Sequence, residues 1–296
     1  MDAELVVDAR NAVGESPVWS SRDEALYWVD IGGKRIWRWH APTARTHQWS
    51  TGEMPACMAP VSGTQWLCAM ESGVFRLTLD PGSAQAVAER IAAITHRASG
   101  MRFNDGRCDR QGRLRAGTML MDMGAAQPFG VFYALESRGL VPLVDGLIVP
   151  NGLAFSPDGR TMYLSDSHPH VQCIWAFDYD IETGRPSHRR VFVDMKPLPG
   201  RPDGAAVDAD GCYWICGNDA GLVHRFTPQG RLDRSLEVPV KKPAMCAFGG
   251  VNLDTLYVTS IRPEGIGLAD QPLAGGVFAL RPGVRGLPEL AAIALA

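Results

Sequence analysis

Asn151-Gly152-Leu153-Ala154-Phe155-Ser156, followed after a turn by Gly159-Arg160-Thr161-Met162-Tyr163-Leu164, is the stretch that decides the fold. It joins a polar opener, a short apolar run, a glycine turn and a second run rich in aromatic or aliphatic residues. The chain repeats this phrase with variations. Asn104-Asp105-Gly106-Arg107-Cys108-Asp109 leads into Gly112-Arg113-Leu114, and Asp203-Gly204-Ala205-Ala206-Val207-Asp208 leads into Gly211-Cys212-Tyr213-Trp214. An earlier copy opens at Glu15-Ser16-Pro17-Val18-Trp19-Ser20 and continues through Ala25-Leu26-Tyr27-Trp28-Val29. Degenerate copies begin at Cys57 and Ala247 and reach Trp66-Leu67 and Leu256-Tyr257-Val258.

The openers at 15, 57, 104, 151, 203 and 247 stand 42 to 52 residues apart. That is the period of four-stranded propeller blades. The expected fold class is therefore all-β, a six-bladed β-propeller, with residues 1–296 forming a single domain. Hairpin turns are expected at Asp109–Gly112, Pro157–Gly159 and Asp208–Gly211, where glycine supplies the turn backbone. Third strands follow at Val131–Leu135, Ile174–Phe177, Leu222–Phe226 and Gly275–Leu280, and a more polar fourth strand at Arg190–Val193. Residues 84–93 read either as a short helical turn or as a strand and loop between blades. Glu4-Leu5-Val6-Val7 is expected to add the outer strand of the last blade, beside Ala291-Ala292-Ile293-Ala294, and so close the ring.

Composition narrows the function. A hydrophobic content of 46% with 21% charged residues suits a compact globule with a large core. The formal charge of −3, with no basic run, argues against a nucleic-acid partner. No apolar stretch is long enough for a membrane span, and residues 1–5 carry no basic start of a secretory signal. Seven cysteines without zinc-type spacing read as free, mostly buried thiols of a cytoplasmic protein.

If each opener starts the innermost strand of its blade, all six ring one mouth of a central channel. Glu15, Asn104, Asn151 and Asp203 then converge, an oxygen-rich set suited to a divalent cation. Two carboxylates brought together repel unless a cation lies between them. Any one of these residues alone serves equally well in a turn; the repeat is what makes them a set. Such ligands accept Ca²⁺, Mn²⁺, Mg²⁺, Fe²⁺ or Zn²⁺.

The motifs resemble the senescence marker protein / gluconolactonase / luciferin-regenerating enzyme family over almost the entire chain. The resemblance rests on Gly14-Glu15-Ser16-Pro17, Arg102-Phe103-Asn104-Asp105-Gly106, Ala116-Gly117-Thr118-Met119, Asn151-Gly152-Leu153, Tyr163-Leu164-Ser165-Asp166-Ser167, Pro202-Asp203-Gly204, Phe248-Gly249-Gly250 and Ala274–Phe278. It implies a six-bladed propeller and one divalent metal ion held by Glu15, Asn151 and Asp203. Arg102 and Asn104 are implied as substrate contacts, and lactones of sugar acids as substrates. Mammalian members carry Glu-Glu after Ala-Gly-Thr-Met; here the run is Leu120-Met121-Asp122-Met123, so Asp122 takes the substrate-binding place with a shorter arm. Met101, Met119, Met121 and Met123 are expected to make the mouth less polar.

On this reading the metal acts as Lewis acid and Asp203 as general base. Two alternatives share the ring: a phosphotriesterase-like hydrolase, and a non-catalytic calcium-binding propeller. A serine hydrolase is disfavoured, because there is no Gly-x-Ser-x-Gly elbow and Ser16, Ser165 and Ser167 lack a histidine partner. His168-Pro169-His170 reads as an exposed loop, Asp166 as a turn residue or a support behind the site, and Asp105 as a residue that braces the loop. Oligomeric state is left open.

Overall fold

The computed structural model describes residues 3–265 and 268–293. Its strands form six four-stranded antiparallel sheets, each a simple meander except the last. The first blade contains Gly14–Ser20, Ala25–Asp30, Arg35–His40 and Arg45–Ser50. The second contains Pro55–Ser62, Gln65–Met70, Gly73–Thr78 and Val87–Ala93, and the third Met101–Cys108, Leu114–Leu120, Gly130–Glu136 and Gly139–Leu147. Pro150–Phe155, Thr161–Asp166, Cys173–Asp180 and Arg185–Asp194 form the fourth. The fifth is Arg201–Val207, Tyr213–Asn218, Leu222–Phe226 and Leu232–Glu237. The sixth joins Pro243–Gly249, Thr255–Ser260 and Val277–Leu280 to the N-terminal strand Glu4–Val7. Each innermost strand packs on the next, and the sixth on the first.

Alternation along the strands explains why they read as unbroken apolar runs. Successive side chains face opposite sides of a sheet, and here both sides are buried. Met162 and Leu164 face the third blade's side, while Tyr163 between them joins the cluster shared with the fifth blade. Six apolar clusters result, one between each pair of neighbouring blades. The stretch at 84–93 resolves as a strand: Val87–Ala93 pairs with Gly73–Thr78 as the blade's outer edge.

The expected turns form. At Asp208–Gly211 the Asp208 N–H donates to Cys212 O at 3.0 Å and Gly211 N–H to Asp208 O at 3.0 Å. The buried Asp208 carboxylate accepts from Asp210 N–H, Cys212 N–H, Trp214 Nε1 and Arg225 Nε, all within 2.8–3.0 Å. Asp109 does the same work in the third blade, accepting from Gln111 N–H, Arg113 N–H, Arg113 Nε and the Tyr179 hydroxyl. The recurring Asp is thus a brace for the hairpin.

Chain closure follows the sequence reading in one half only. Glu4–Val7 pairs antiparallel with Val277–Leu280, Leu5 opposite Phe278. Residues 291–293 do not lie beside it, and Ala294 is outside the described residues. Ala292 N–H donates to Pro60 O at 2.6 Å and Ile293 N–H to Gly112 O at 2.8 Å. Nearby, Ala209 N–H binds Arg285 O, Gly286 N–H binds Leu253 O, and Arg107 pairs with Glu289 at 3.3 Å. The last described residues therefore cross the hairpin ends, and Leu287, Glu289 and Leu290 leave a cavity of only about 40 Å³ there. The unpaired carbonyls of those turns capture the tail, which the apolar pattern of 291–294 does not reveal.

Replacing Asp208 by Ala strands Trp214 Nε1 and two turn N–H groups inside the protein. Urea denaturation of Asp208→Ala is expected to show a loss of about 3–5 kcal/mol, as for broken buried ion pairs. Asp210→Ala, at an exposed carboxylate on the same Arg225, is expected to cost under about 1 kcal/mol.

Candidate active site

Every innermost strand carries one extra residue near the opposite mouth of the channel. The register shifts between Glu15 and Val18, Pro55 and Cys57, Phe103 and Gly106, Asn151 and Ala154, Pro202 and Ala205, and Pro243 and Cys246. Such bulges re-aim side chains, and here they take two forms. In the first and fourth blades the residue after the opener is left-handed, Ser16 at φ 49° and Gly152 at φ 65°. The opener itself, Glu15 or Asn151, then lines the cavity. In the third and fifth blades the bulge stays at negative φ, and the openers Asn104 and Asp203, which line the cavity, stand one place further along, in register with Ser16 and Gly152. Gly152 has a second reason to lack a side chain: a Cβ would stand 2.5 Å from the Tyr213 hydroxyl and 2.6 Å from Ser165 Oγ.

The four side chains share a cavity of about 380 Å³. Asn104 Nδ2 donates to Asn151 Oδ1 and to Pro150 O, both at 3.0 Å. Its Oδ1 accepts from Arg102 Nη1 at 2.8 Å. Asn151 Nδ2 donates to Ser167 Oγ at 2.6 Å, and that hydroxyl donates to Pro202 O. Asp203 Oδ2 accepts from Asn218 Nδ2 at 2.6 Å. Behind them Asp105 Oδ2 accepts from Leu153 N–H at 2.8 Å, bracing the fourth blade's bulge, while its buried Oδ1 has no hydrogen-bond partner among the described residues.

Burial, then the charges of Asp203 and Asp105, raises the Glu15 carboxyl well above the usual range; the Ser16 N–H and Arg102 oppose this. Burial is also the main cause that pushes Asp203 up to about 7, against the Asn218 hydrogen bond. Arg102 is lowered to about 10 by burial, although Glu15, Asp203 and Glu71 favour its charge. Two desolvated acids facing one cavity are unfavourable as a pair of anions. A divalent cation would reverse that penalty. Among the described residues no three His, Cys, Asp or Glu side chains gather as a metal cluster; the available set is two carboxylates and an amide. Glu15, Asp203 Oδ1 and the remaining lone pair on Asn151 Oδ1 fit an oxygen-preferring ion.

Two openers fall outside this ring. Ala247 pairs with Tyr257, several residues deeper than the Pro243–Ser260 pair at the mouth, and lines the small cavity at the tail end. Cys57 lies past its bulge, buried against the third blade. The degenerate copies align by their apolar runs, which do not mark the bulge. Asp122 is exposed and stands outside the cavity lining: the strand ends at Leu120, and Asp122 caps the short 3-10 turn Met123–Ala125, while Met121 and Met123 on either side line the cavity. Met101 likewise turns away, whereas Arg102 and its cross-strand partner Met119 both line the cavity.

The histidine loop differs from its reading too. His168 is buried and its Nε2 meets Met123 O at 3.1 Å, while its Nδ1 accepts from His170 N–H; Pro169 and His170 are exposed. Asp166 accepts backbone N–H groups from Ile148, Val149 and His168, holding the strand entrance. Asn218 escaped the sequence reading, yet a signal existed. By register it occupies the place of Asp30 and Asp166 in their blades. There an amide can donate to Asp203, where a third carboxylate would repel it.

The raised acids make the stability of the ion-free protein depend on pH. Between about pH 4 and pH 7 the folded chain keeps protons that the unfolded chain releases, so stability falls as pH rises through the Asp203 value. The denaturation midpoint of chelator-treated protein is expected to drop from pH 5 to pH 8, and a saturating divalent cation to flatten the drop. A midpoint that climbs across this window would contradict the assignment.

Comparison with known proteins places this geometry. A family model described as the SMP-30/Gluconolactonase/LRE-like region matches residues 13–262. The chain is 38% identical over 292 residues to a 6-deoxy-6-sulfogluconolactonase of Pseudomonas putida, covering 96% of both chains. It is 35% identical to a regucalcin of Danio rerio, again over 96% of both. Among solved structures, a calcium-binding protein, regucalcin, from Agrobacterium tumefaciens superposes with a TM-score of 0.90 at 27% identity, covering 99% of this chain and 97% of that one. With the family model spanning most of the propeller and these relatives matching it nearly end to end, the chain belongs to the SMP-30/gluconolactonase/luciferin-regenerating enzyme family.

Proposed function

We propose that this protein is a lactonase that hydrolyses a sugar lactone to the corresponding aldonic acid, using one divalent cation held by Glu15, Asn151 and Asp203. The observation that carries the reading is the meeting of two buried, mutually repelling acids with Asn104, Asn151 and Arg102 in one cavity of a family with gluconolactonase members. Bound there, the ion supplies Lewis acidity toward the acyl oxygen.

The chain's own residues account for the rest. Asp203 Oδ2, the oxygen not given to the ion, uses its second lone pair to accept a proton from the attacking water as the water oxygen adds to the carbonyl carbon. Asn218 Nδ2 fixes the rotation of that carboxylate by holding Oδ2. The Asp203 carboxyl then returns the proton to the ring oxygen as the ring C–O bond breaks, and the product leaves as a hydroxy acid. Arg102, tied to Asn104 at 2.8 Å, presents fixed donors to substrate oxygens and to developing negative charge. Ser167 acts as a brace and not a nucleophile, since its hydroxyl is engaged by Asn151 and Pro202.

Initial rates on a panel of aldonolactones and phosphotriesters, after metal stripping and add-back of Ca²⁺, Zn²⁺, Mn²⁺, Mg²⁺ and Fe²⁺ in turn, test the proposal. Lactone turnover should vanish on stripping and return with at least one ion. Asp203→Ala should abolish it with the fold intact. Asn218→Ala should lower kcat/KM by about 10–100-fold, the usual scale for a residue that orients a metal ligand, and Asn218→Asp by more. Undiminished lactone hydrolysis in stripped enzyme or in Asp203→Ala would overturn the mechanism. Turnover of phosphotriesters alone would replace the substrate class.

A further inference from the structure

The cavity walls differ in chemistry. On the side of the second and third blades stand Met54, Met119, Met121 and Met123, which offer a sugar few hydrogen bonds. On the side of the fifth and sixth blades stand Arg201 and Lys242. Both cations reach a single carboxylate: Arg201 Nε donates to Asp219 Oδ2 at 2.7 Å, and Lys242 Nζ pairs with Asp219 Oδ1. Their side chains keep 23% and 24% of their exposure, so the charges remain within reach of a ligand. Arg201 Nη1 and Nη2 make no hydrogen bond among the described residues, which leaves the planar end of the guanidinium available.

We infer that Arg201 and Lys242 bind an anionic substituent, a sulfonate, phosphate ester or carboxylate, on the end of the substrate remote from the lactone carbonyl. The inference rests on the lactonase reading for the identity of the reacting end. Charge balance supports it. Glu15 and Asp203 offset one divalent ion, while Arg102 and the Arg201–Lys242–Asp219 group each leave one positive charge facing the cavity. A neutral lactone leaves that excess unbalanced; an anionic one meets it with a bidentate guanidinium partner. Placement agrees. Arg201 precedes Asp203 by two residues on the same strand, about 6–7 Å nearer the mouth at strand rise. That is the scale of the distance from a lactone carbonyl to a charged group on the last carbon of a six-carbon sugar acid. Asp219 holds the two cations in position before substrate arrives, which lowers the cost of ordering them.

The experiment compares kcat/KM for unsubstituted gluconolactone with that for gluconolactones bearing sulfonate, phosphate or carboxylate on the last carbon. Wild type should favour at least one charged lactone by about tenfold or more, and added salt should shrink the preference. Arg201→Gln and Lys242→Gln should each cut the charged-to-neutral ratio by about tenfold, whereas Lys241→Gln, which removes a cation paired with Asp270 outside the cavity, should leave it. A wild-type preference for the neutral lactone would overturn the inference. So would equal losses on both substrates in the two variants, the mark of a clamp between blades. If no lactone, charged or neutral, is turned over, the lactonase reading fails separately. Calorimetric binding of gluconate and of its phosphate-bearing analogue then reads the same ratio: tighter binding of the phosphate form, lost in Arg201→Gln, supports the anion site, and equal binding removes it.

Discussion

The extra residue in each innermost strand is the constraint on which the rest of this protein depends. Strands converging on one axis must either fill it with side chains or turn some of them toward one mouth, and the bulge does the latter. Because the left-handed residue at Ser16 and Gly152 shifts the facing residue by one position, two backbone forms deliver four polar side chains to a common level. Opposed blades, the first and fourth, use the same form. The tail across the hairpin ends narrows the other end, so the polar groups lie in a pocket open at one mouth.

Electrostatics gives the pocket its direction. Its floor gathers acids whose charges are disfavoured by burial and by one another, and its rim carries cations that Asp219 only half neutralises. The remaining wall is methionine, flexible and apolar. An ion at the floor, a polar substrate across the middle and a charged group toward the rim satisfy all three regions together. Rigidity comes from hydrogen bonds that join blades: Asn104 to Asn151 and Asp105 to Leu153 tie the third blade's bulge to the fourth's, and Ser167, just past the fourth blade's second strand, binds Pro202 of the fifth.

Much of this was legible in the residues because repetition converts distant positions into neighbours. The strands, the hairpin turns and the cavity lining of Glu15, Asn104, Asn151 and Asp203 follow from copies that keep their polar openers, whereas Arg102 is reached through the family resemblance. Where a copy has lost its opener, only the apolar run remains to align, and Cys57 and Ala247, expected at the mouth, lie deeper in the channel. Asp122 lies outside the cavity lining for a different reason: the chain leaves its strand at Leu120 and turns, and the motif gives no sign of where a 3-10 turn will aim its cap. Asn218 shows a signal that was present but subtle, an amide at a place where two sister blades carry a carboxylate.

By itself the sequence determined the propeller, its six-fold period, the strand order and closure by Glu4–Val7, because apolar periodicity and turn residues are local properties that each repeat states again. Only the tertiary structure decided the level at which each bulge presents its side chain, the course of residues 282–293 over the hairpin ends, and the joining of Arg201, Lys242 and Asp219 on one wall. Those depend on backbone dihedrals and on contacts between blades, and neither leaves a period in the chain.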